Sequence, residues 1–213
     1  MNILLSRAHY PVTVLGPGRR IGLWTQGCGI GCAGCVSRDT WSPSQDRAIP
    51  VEEVVAWCDA VEGPVDGITI SGGEPFDQPA ALEELLRRLH DWRGGRAIDL
   101  LCYSGRSQAA LRSRFGHLLE RLDAVIPGPF VAQLAPGLKW RGSTNQELVP
   151  LSPLGHERYD HEIDAPADRT RLQVSMRGDT VYQIGVPRPG DLEALERALA
   201  RRGVAYTEAS WRS

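Results

Sequence analysis

Short apolar runs alternate with amphipathic stretches through the middle of the chain. Ile68-Thr69-Ile70, Ile98–Tyr103 and Ala124–Ile126 read as buried strands, short and almost continuously apolar. Between them the spacing changes to that of helices. Val51, Val54, Val55, Cys58 and Val61 recur near helical spacing over 51–61. Leu82, Leu85, Leu86, Leu89 and Trp92 form an apolar stripe, and Glu83–Arg87 and Glu84–Arg88 are i,i+4 pairs on the other face. Asp77 is placed to cap that helix, with Pro79 tolerated in its first turn. A third helix is predicted over 107–121. Strand, helix, strand, helix argues for an α/β fold with a parallel sheet and right-handed crossovers.

The flanks are less regular. Residues 12–15 and 21–25 read as two short strands around the turn Gly16-Pro17-Gly18. Residues 127–168 are proline-rich with little periodicity, long for a structureless connection, which points to function or mobility. Leu172–Ser175 and Val181–Ile184 bracket Arg177-Gly178-Asp179 as a hairpin, and a last helix over 190–202 stops at Gly203. In a parallel sheet the loops leaving the carboxyl ends of the strands converge on one rim. The loop after 21–25, the Gly-Gly turn after 68–71 and Ser104-Gly105 all belong to that rim.

Composition narrows the function classes. The chain has 213 residues, enough for a sizeable core, and a formal net charge of −2. That balance gives no case for a nucleic-acid or anionic-membrane surface. Lys139 is the only lysine among 24 basic residues, which fits a bias in base composition. No apolar run approaches the roughly 20 residues of a membrane span. The opening MNILLSRAHYPV lacks the basic start and long apolar core of a secretion signal. A cytoplasmic location is therefore expected, where clustered thiols mean metal or catalysis rather than disulfides.

The chemistry concentrates in GCGIGCAGC, residues 27–35, with three cysteines and four glycines in nine positions. Cys28, Cys32 and Cys35 are spaced C-x3-C-x2-C. Thiolates are soft donors that favour iron–sulfur clusters or zinc. Structural zinc normally takes four protein ligands from two knuckles, and no second knuckle exists here, although a histidine could complete a Cys3His site. A [4Fe–4S] cube held by three cysteines leaves one iron open to a small molecule, an arrangement suited to chemistry rather than simple electron transfer. The glycines permit positive φ and close backbone approach around a bulky cluster. Cys58 and Cys102 fall within a helix and a strand and read as small core residues, with hydrogen-atom donation from Cys102 the alternative. Trp24 and Trp140 read as packing residues, and His156 and His161 as solvated.

The cysteine spacing together with SGGEPF at 71–76 resembles the radical S-adenosylmethionine (SAM) superfamily. Further segments resemble the activating enzymes of anaerobic ribonucleotide reductase within it. They are Gly16-Pro17-Gly18, Leu23 through Cys28, Cys32-Ala33-Gly34-Cys35, Thr40-Trp41, Gly128-Pro129-Phe130 and Trp140 through Gln146 (WRGSTNQ). The resemblance spans about 12–146. It departs at Val36-Ser37-Arg38, where these activases usually carry an aromatic residue and an asparagine.

The resemblance implies a partial (β/α) barrel in a single domain over 1–213, ending in a C-terminal hairpin and helix over 169–213. It implies that Cys28, Cys32 and Cys35 ligate a [4Fe–4S] cluster whose fourth iron takes SAM, with no catalytic residue beyond these ligands. Gly72, Gly73 and Glu74 would hold the methionine ammonium, Gly34 and Val36 would pass near the adenosine, and Ser104 would meet SAM from the next strand end. The implied activity is reductive cleavage of SAM to a 5′-deoxyadenosyl radical, which makes a glycyl radical on a partner enzyme. A flavodoxin- or ferredoxin-type protein would supply the electron. Two readings stay open beside it: a stand-alone radical SAM enzyme acting on a small molecule or peptide, as in deazapurine biosynthesis, and a metal-stabilised binding module without chemistry.

Overall fold

The computed structural model describes residues 1–167 and 172–210. The first residues of the predicted tail, 169–171, and its last, 211–213, lie outside the described residues. Seven strands form one sheet: β1 (Asn2–Val12), β2 (Arg20–Thr25), β3 (Ala48–Pro50), β4 (Gly67–Gly72), β5 (Asp99–Ser104), β6 (Ala124–Pro127) and β7 (Val149–Pro150), in the order β3-β1-β2-β4-β5-β6-β7. The four inner strands β2, β4, β5 and β6 are parallel to one another, and β1, β3 and β7 are antiparallel additions at the two sides. Helix α1 (Val51–Asp59) precedes β4, α2 (Pro79–Arg93) links β4 to β5, and α3 (Gln108–Leu119) links β5 to β6. The α/β class and the alternation are those expected.

The inner strands are apolar throughout because both faces are covered. Ile21, Leu23, Ile68, Ile70, Leu100, Cys102 and Val125 point to one face and join the core cluster of α1, α2 and α3. On α2, Leu82, Leu85, Leu86 and Leu89 are fully buried there, each contributing on the order of 1.5–3 kcal/mol by burial. The alternate residues Leu101, Tyr103, Ala124 and Ile126 face the other way, against Trp140, Leu148 and Tyr159. Cys102 thus sits in the helix-side core, which removes it as a hydrogen-atom donor to the rim.

Several local expectations are corrected. The strand expected at 12–15 is the end of the longer β1, and 13–19 is a series of bends. In β1 only Ile3, His9 and Val12 are buried, so the segment carries no clean alternation to read. Gln78, not Asp77, is the residue that precedes α2; Asp77 turns instead toward Gly29 and Arg106. Arg87 pairs with Glu84 and Asp91 rather than Glu83, while Glu84–Arg88 forms as expected. The 127–168 stretch is not structureless. It contains β7 and α4 (Pro153–Tyr159), and Ser152 caps α4 by accepting from the Gly155 N–H at 3.0 Å.

At the amino ends of the parallel strands lies a buried ionic lock. Arg20 and Asp99, the first residues of β2 and β5, are both fully buried and meet at 2.7 Å. Arg20 finds an acceptor for each of its five N–H groups. Two go to Asp99, and one each goes to Thr69 Oγ1 and to the carbonyls of Pro17 and Ile68. Asp99 also accepts from Tyr159 and from Arg158 (2.8 Å), both on α4. The guanidinium passes over Gly67, where any Cβ would come within 2.2 Å of Arg20 Nη1. Only glycine fits. Beyond this lock, β8 (Leu172–Arg177) and β9 (Thr180–Gly185) form the expected hairpin, followed by α5 (Asp191–Ala200). Ile184 of β9 and Tyr182 pack with Val12, Trp24 and Tyr103.

Burial alone would raise the Asp99 carboxyl, but Arg20, Tyr159 and Arg158 outweigh it and hold it below the usual carboxylate range. A depressed carboxylate contributes stability present above the unfolded pKa, about 4, and lost as pH falls through the folded value. Asp99→Asn removes one partner of a buried pair and should destabilise the protein by about 3–5 kcal/mol at pH 7. The loss should shrink below pH ~4. Denaturant unfolding at both pH values checks this, and equal stability of variant and parent at pH 7 would count against the lock.

Candidate active site

The loop from Gln26 to Ser42 leaves the carboxyl end of β2, and its two arms are closed by backbone and side-chain bonds. The Gly27 and Cys28 N–H groups donate to the carbonyls of Thr40 (2.7 Å) and Trp41 (2.9 Å). The Gln26 amide donates to the carbonyls of Asp39 and Ser42. At the tip Cys32 and Cys35 are joined by a turn, with the Cys35 N–H on the Cys32 carbonyl at 3.1 Å. Asp77 bridges this loop to the rest of the rim: Oδ2 accepts from the Gly29 N–H at 2.8 Å, and Oδ1 pairs with Arg106.

The end of β4 is pressed against the base of this loop. Gly73 N–H donates to the Thr25 carbonyl (2.9 Å) and Glu74 N–H to that of Gly27 (2.8 Å). A Cβ on Gly73 would lie 2.2 Å from the Gly27 oxygen, and one on Gly72 (φ +101°) 2.6 Å from the Thr25 nitrogen. The doublet exists because two backbones meet there with no room for side chains.

Glu74 follows, 1% exposed. Its Oε1 accepts from the Ser104 hydroxyl (2.9 Å) and the Phe76 N–H (3.1 Å), and its Oε2 accepts from the Gly105 N–H (2.7 Å). Burial raises its pKa, opposed by these three bonds and by Arg106. A carboxylate has about four acceptor positions, so one remains on Oε2. Ser104 stands behind Glu74 and is occupied in orienting it, also accepting from the Arg106 N–H at 3.1 Å.

Cys28, Cys32 and Cys35 are free, half-exposed thiols that line a single cleft of about 120 Å³. Gly72, Gly73, Glu74 and Ser104 line the same cleft. Gly34 and Val36 lie beside it rather than in its wall. Gly34 (φ +80°) faces the Phe130 ring, and the Val36 carbonyl accepts from the Ser210 hydroxyl at 2.9 Å. Among the described residues no histidine lines the cleft, so the fourth ligand of a Cys3His zinc site is not supplied there. His156 pairs with Asp160 at the surface, and His161 is exposed beside Glu162.

Residues that sequence reasoning did not place complete the wall: Tyr103, Phe130 and Gln146. Phe130 follows β6, a fourth rim loop that the strand-end rule would have supplied. A larger cavity, about 340 Å³, lies at the other end of the strands beside Cys58, Asp59, Trp92 and Arg96. It is chemically poorer: burial pushes the Cys58 thiol up to about 12, and Asp59 is taken by the Trp92 N–H at 3.1 Å. Burial likewise pushes the Cys102 thiol well up. Size does not choose the site; the clustered donors do.

The donor set has the chemistry of an iron–sulfur cluster: three soft thiols line one cleft, a backbone N–H meets one of their sulfurs (Ser37 to Cys35, 3.4 Å), and glycines keep the wall thin. Among the described residues no three ligating side chains converge on a single ion, which a cube does not require, since its cysteines each hold a different iron. No helix among the described residues is long and apolar enough to cross a membrane.

Comparison with known proteins agrees. An anaerobic ribonucleoside-triphosphate reductase-activating protein from Vibrio cholerae is 33% identical over 146 residues, covering 66% of this chain and 94% of that protein. The protein of the same description from Salmonella typhimurium is 30% identical over 151 residues, covering 67% and 96%. A pyruvate formate-lyase-activating enzyme from Staphylococcus aureus is 34% identical over 122 residues, covering 54% of this chain and 47% of its own length. The solved structure of QueE from Escherichia coli aligns with a TM-score of 0.43 at 20% identity, over 50% of this chain and 54% of that one. The profile of the family described as 4Fe-4S single cluster domain matches residues 14–149, from just before β2 to β7 and with all three loop cysteines inside. The chain belongs to that 4Fe-4S single cluster domain family.

Proposed function

We propose that this chain is a radical SAM activase that generates a glycyl radical on a partner enzyme of the anaerobic ribonucleotide reductase kind. The observation that carries the reading is the meeting of three loop thiols with a buried, pre-oriented carboxylate in one cleft. Cys28, Cys32 and Cys35 would hold the cluster. The free position on Glu74 Oε2 would accept the ammonium of SAM, with Ser104 and the Gly105 N–H fixing the carboxylate beforehand. Gly72 and Gly73 keep the cysteine loop within reach of Glu74. When bound, the cluster and SAM supply one-electron cleavage of the sulfonium and hence the 5′-deoxyadenosyl radical. The chain's own work is to hold, orient and shield. A cytoplasmic location and a flavodoxin- or ferredoxin-type donor belong to the same reading.

Two outcomes are expected. Reconstituted anaerobically, the parent should hold about four irons per chain and, reduced with SAM and a glycyl-radical reductase, give a glycyl doublet by electron paramagnetic resonance. Cys28→Ala, Cys32→Ala and Cys35→Ala should abolish both. Release of 5′-deoxyadenosine with a small substrate and no doublet on any partner would favour the stand-alone enzyme. Separately, Gly73→Ala should push the loop from β4 and cut iron retention several-fold, whereas Gly95→Ala, with nothing within 4 Å, should not. Equal iron in the two glycine variants would contradict the close-approach account.

A further inference from the structure

The segment Gly142–Gln146, the latter part of WRGSTNQ, has no place in the function just described, yet it is tied almost wholly to one neighbour. Gln146 donates from Nε2 to the Gly128 carbonyl at 2.9 Å, and its Oε1 accepts from the N–H groups of Gly142 (2.8 Å) and Ser143 (3.3 Å). Asn145 donates to the Pro129 carbonyl at 2.9 Å. Ser143 Oγ accepts from the Val131 N–H at 3.1 Å. Side chains of Ser143, Asn145 and Gln146 thus clamp residues 131, 129 and 128.

Between them stands Phe130. One side of its ring lies against Gly142, where a Cβ would come within 2.9 Å of the ring; another edge lies against Gly34, at 3.3 Å from a Cβ there. A wedge held on both flanks and resting on the cysteine turn is more than an outer wall.

We infer that Gln146 and Asn145 are positioning residues for the cluster: they lock the loop after β6 so that the Phe130 ring braces the Cys32–Cys35 turn at Gly34. The inference rests on the reading that these cysteines hold a [4Fe–4S] cluster. Groups behind the ligands fix their orientation and so set how firmly a metal centre is held. Loosening the loop frees the turn, and the cluster then has no single fixed setting.

The test compares the reconstituted full chain with Gln146→Ala, Gln146→Glu and Asn145→Ala. It reads iron content, the rate at which iron is lost to a chelator, and the paramagnetic resonance spectrum of the reduced cluster with and without SAM. Gln146→Ala should lose iron several-fold faster and broaden the spectrum. Gln146→Glu keeps the acceptor for Gly142 and Ser143 and should fall between. Asn145→Ala, at an exposed residue, should change the same way by less. Should Gln146→Ala not fold, the other two variants decide the matter by the same readouts. Parent-like iron loss and spectra in the variants overturn the inference while leaving the proposed function standing. A parent that takes up no cluster overturns the function itself, and this inference with it.

Discussion

The meeting of two backbones at Gly27 and Gly73 is the constraint on which the site depends. Parallel strands β2 and β4 arrive side by side, and the bonds from Gly73 to Thr25 and from Glu74 to Gly27 continue their ladder one step past its end. That extension fixes where the cysteine loop departs and where Glu74 turns inward. A side chain at Gly73 would run into the Gly27 carbonyl and separate the thiols from the carboxylate, so the chemistry rests on an absence of atoms. Cofactor contact and close packing are often offered as rival explanations of a glycine doublet. Here close packing by itself requires both glycines.

Glu74 shows how a buried charge is made tolerable. Its three hydrogen bonds come from its own following turn and from the end of β5, so the carboxylate ties two rim loops together while presenting a remaining lone pair to the cleft. Asp77 does the same at the surface, between the cysteine loop and Arg106. Gly128 N–H on the Arg106 carbonyl then joins the loop after β6. Four strand ends that are separate in sequence become one continuous hydrogen-bonded rim.

The elements legible in the sequence were those whose side chains face one kind of surroundings. The inner strands, packed on both faces, and α2, with one apolar stripe, read correctly from periodicity. The clustered cysteines stood out because three thiols in nine residues have few other uses, and the structure gathers them in one cleft. β1 was not legible, since its residues meet water, a neighbouring strand and a core in turn. Nor were the parts of the site built by partners far along the chain: Asp77 looks like a helix cap until Gly29 is beside it, and nothing near Ser104 in sequence shows that its hydroxyl donates to Glu74. The order in 127–168 was hidden for the same reason. Its anchor, Arg158 and Tyr159 on Asp99, joins residues about sixty positions apart.

The lock of Arg20, Asp99 and α4 stands at the opposite end of the strands from the thiols. Clasping the strands to α4 and doing chemistry are therefore assigned to different poles of the same sheet. Sequence drift at the rim can reshape what enters the cleft without loosening the clasp beneath it, which gives such a scaffold latitude to acquire new substrates.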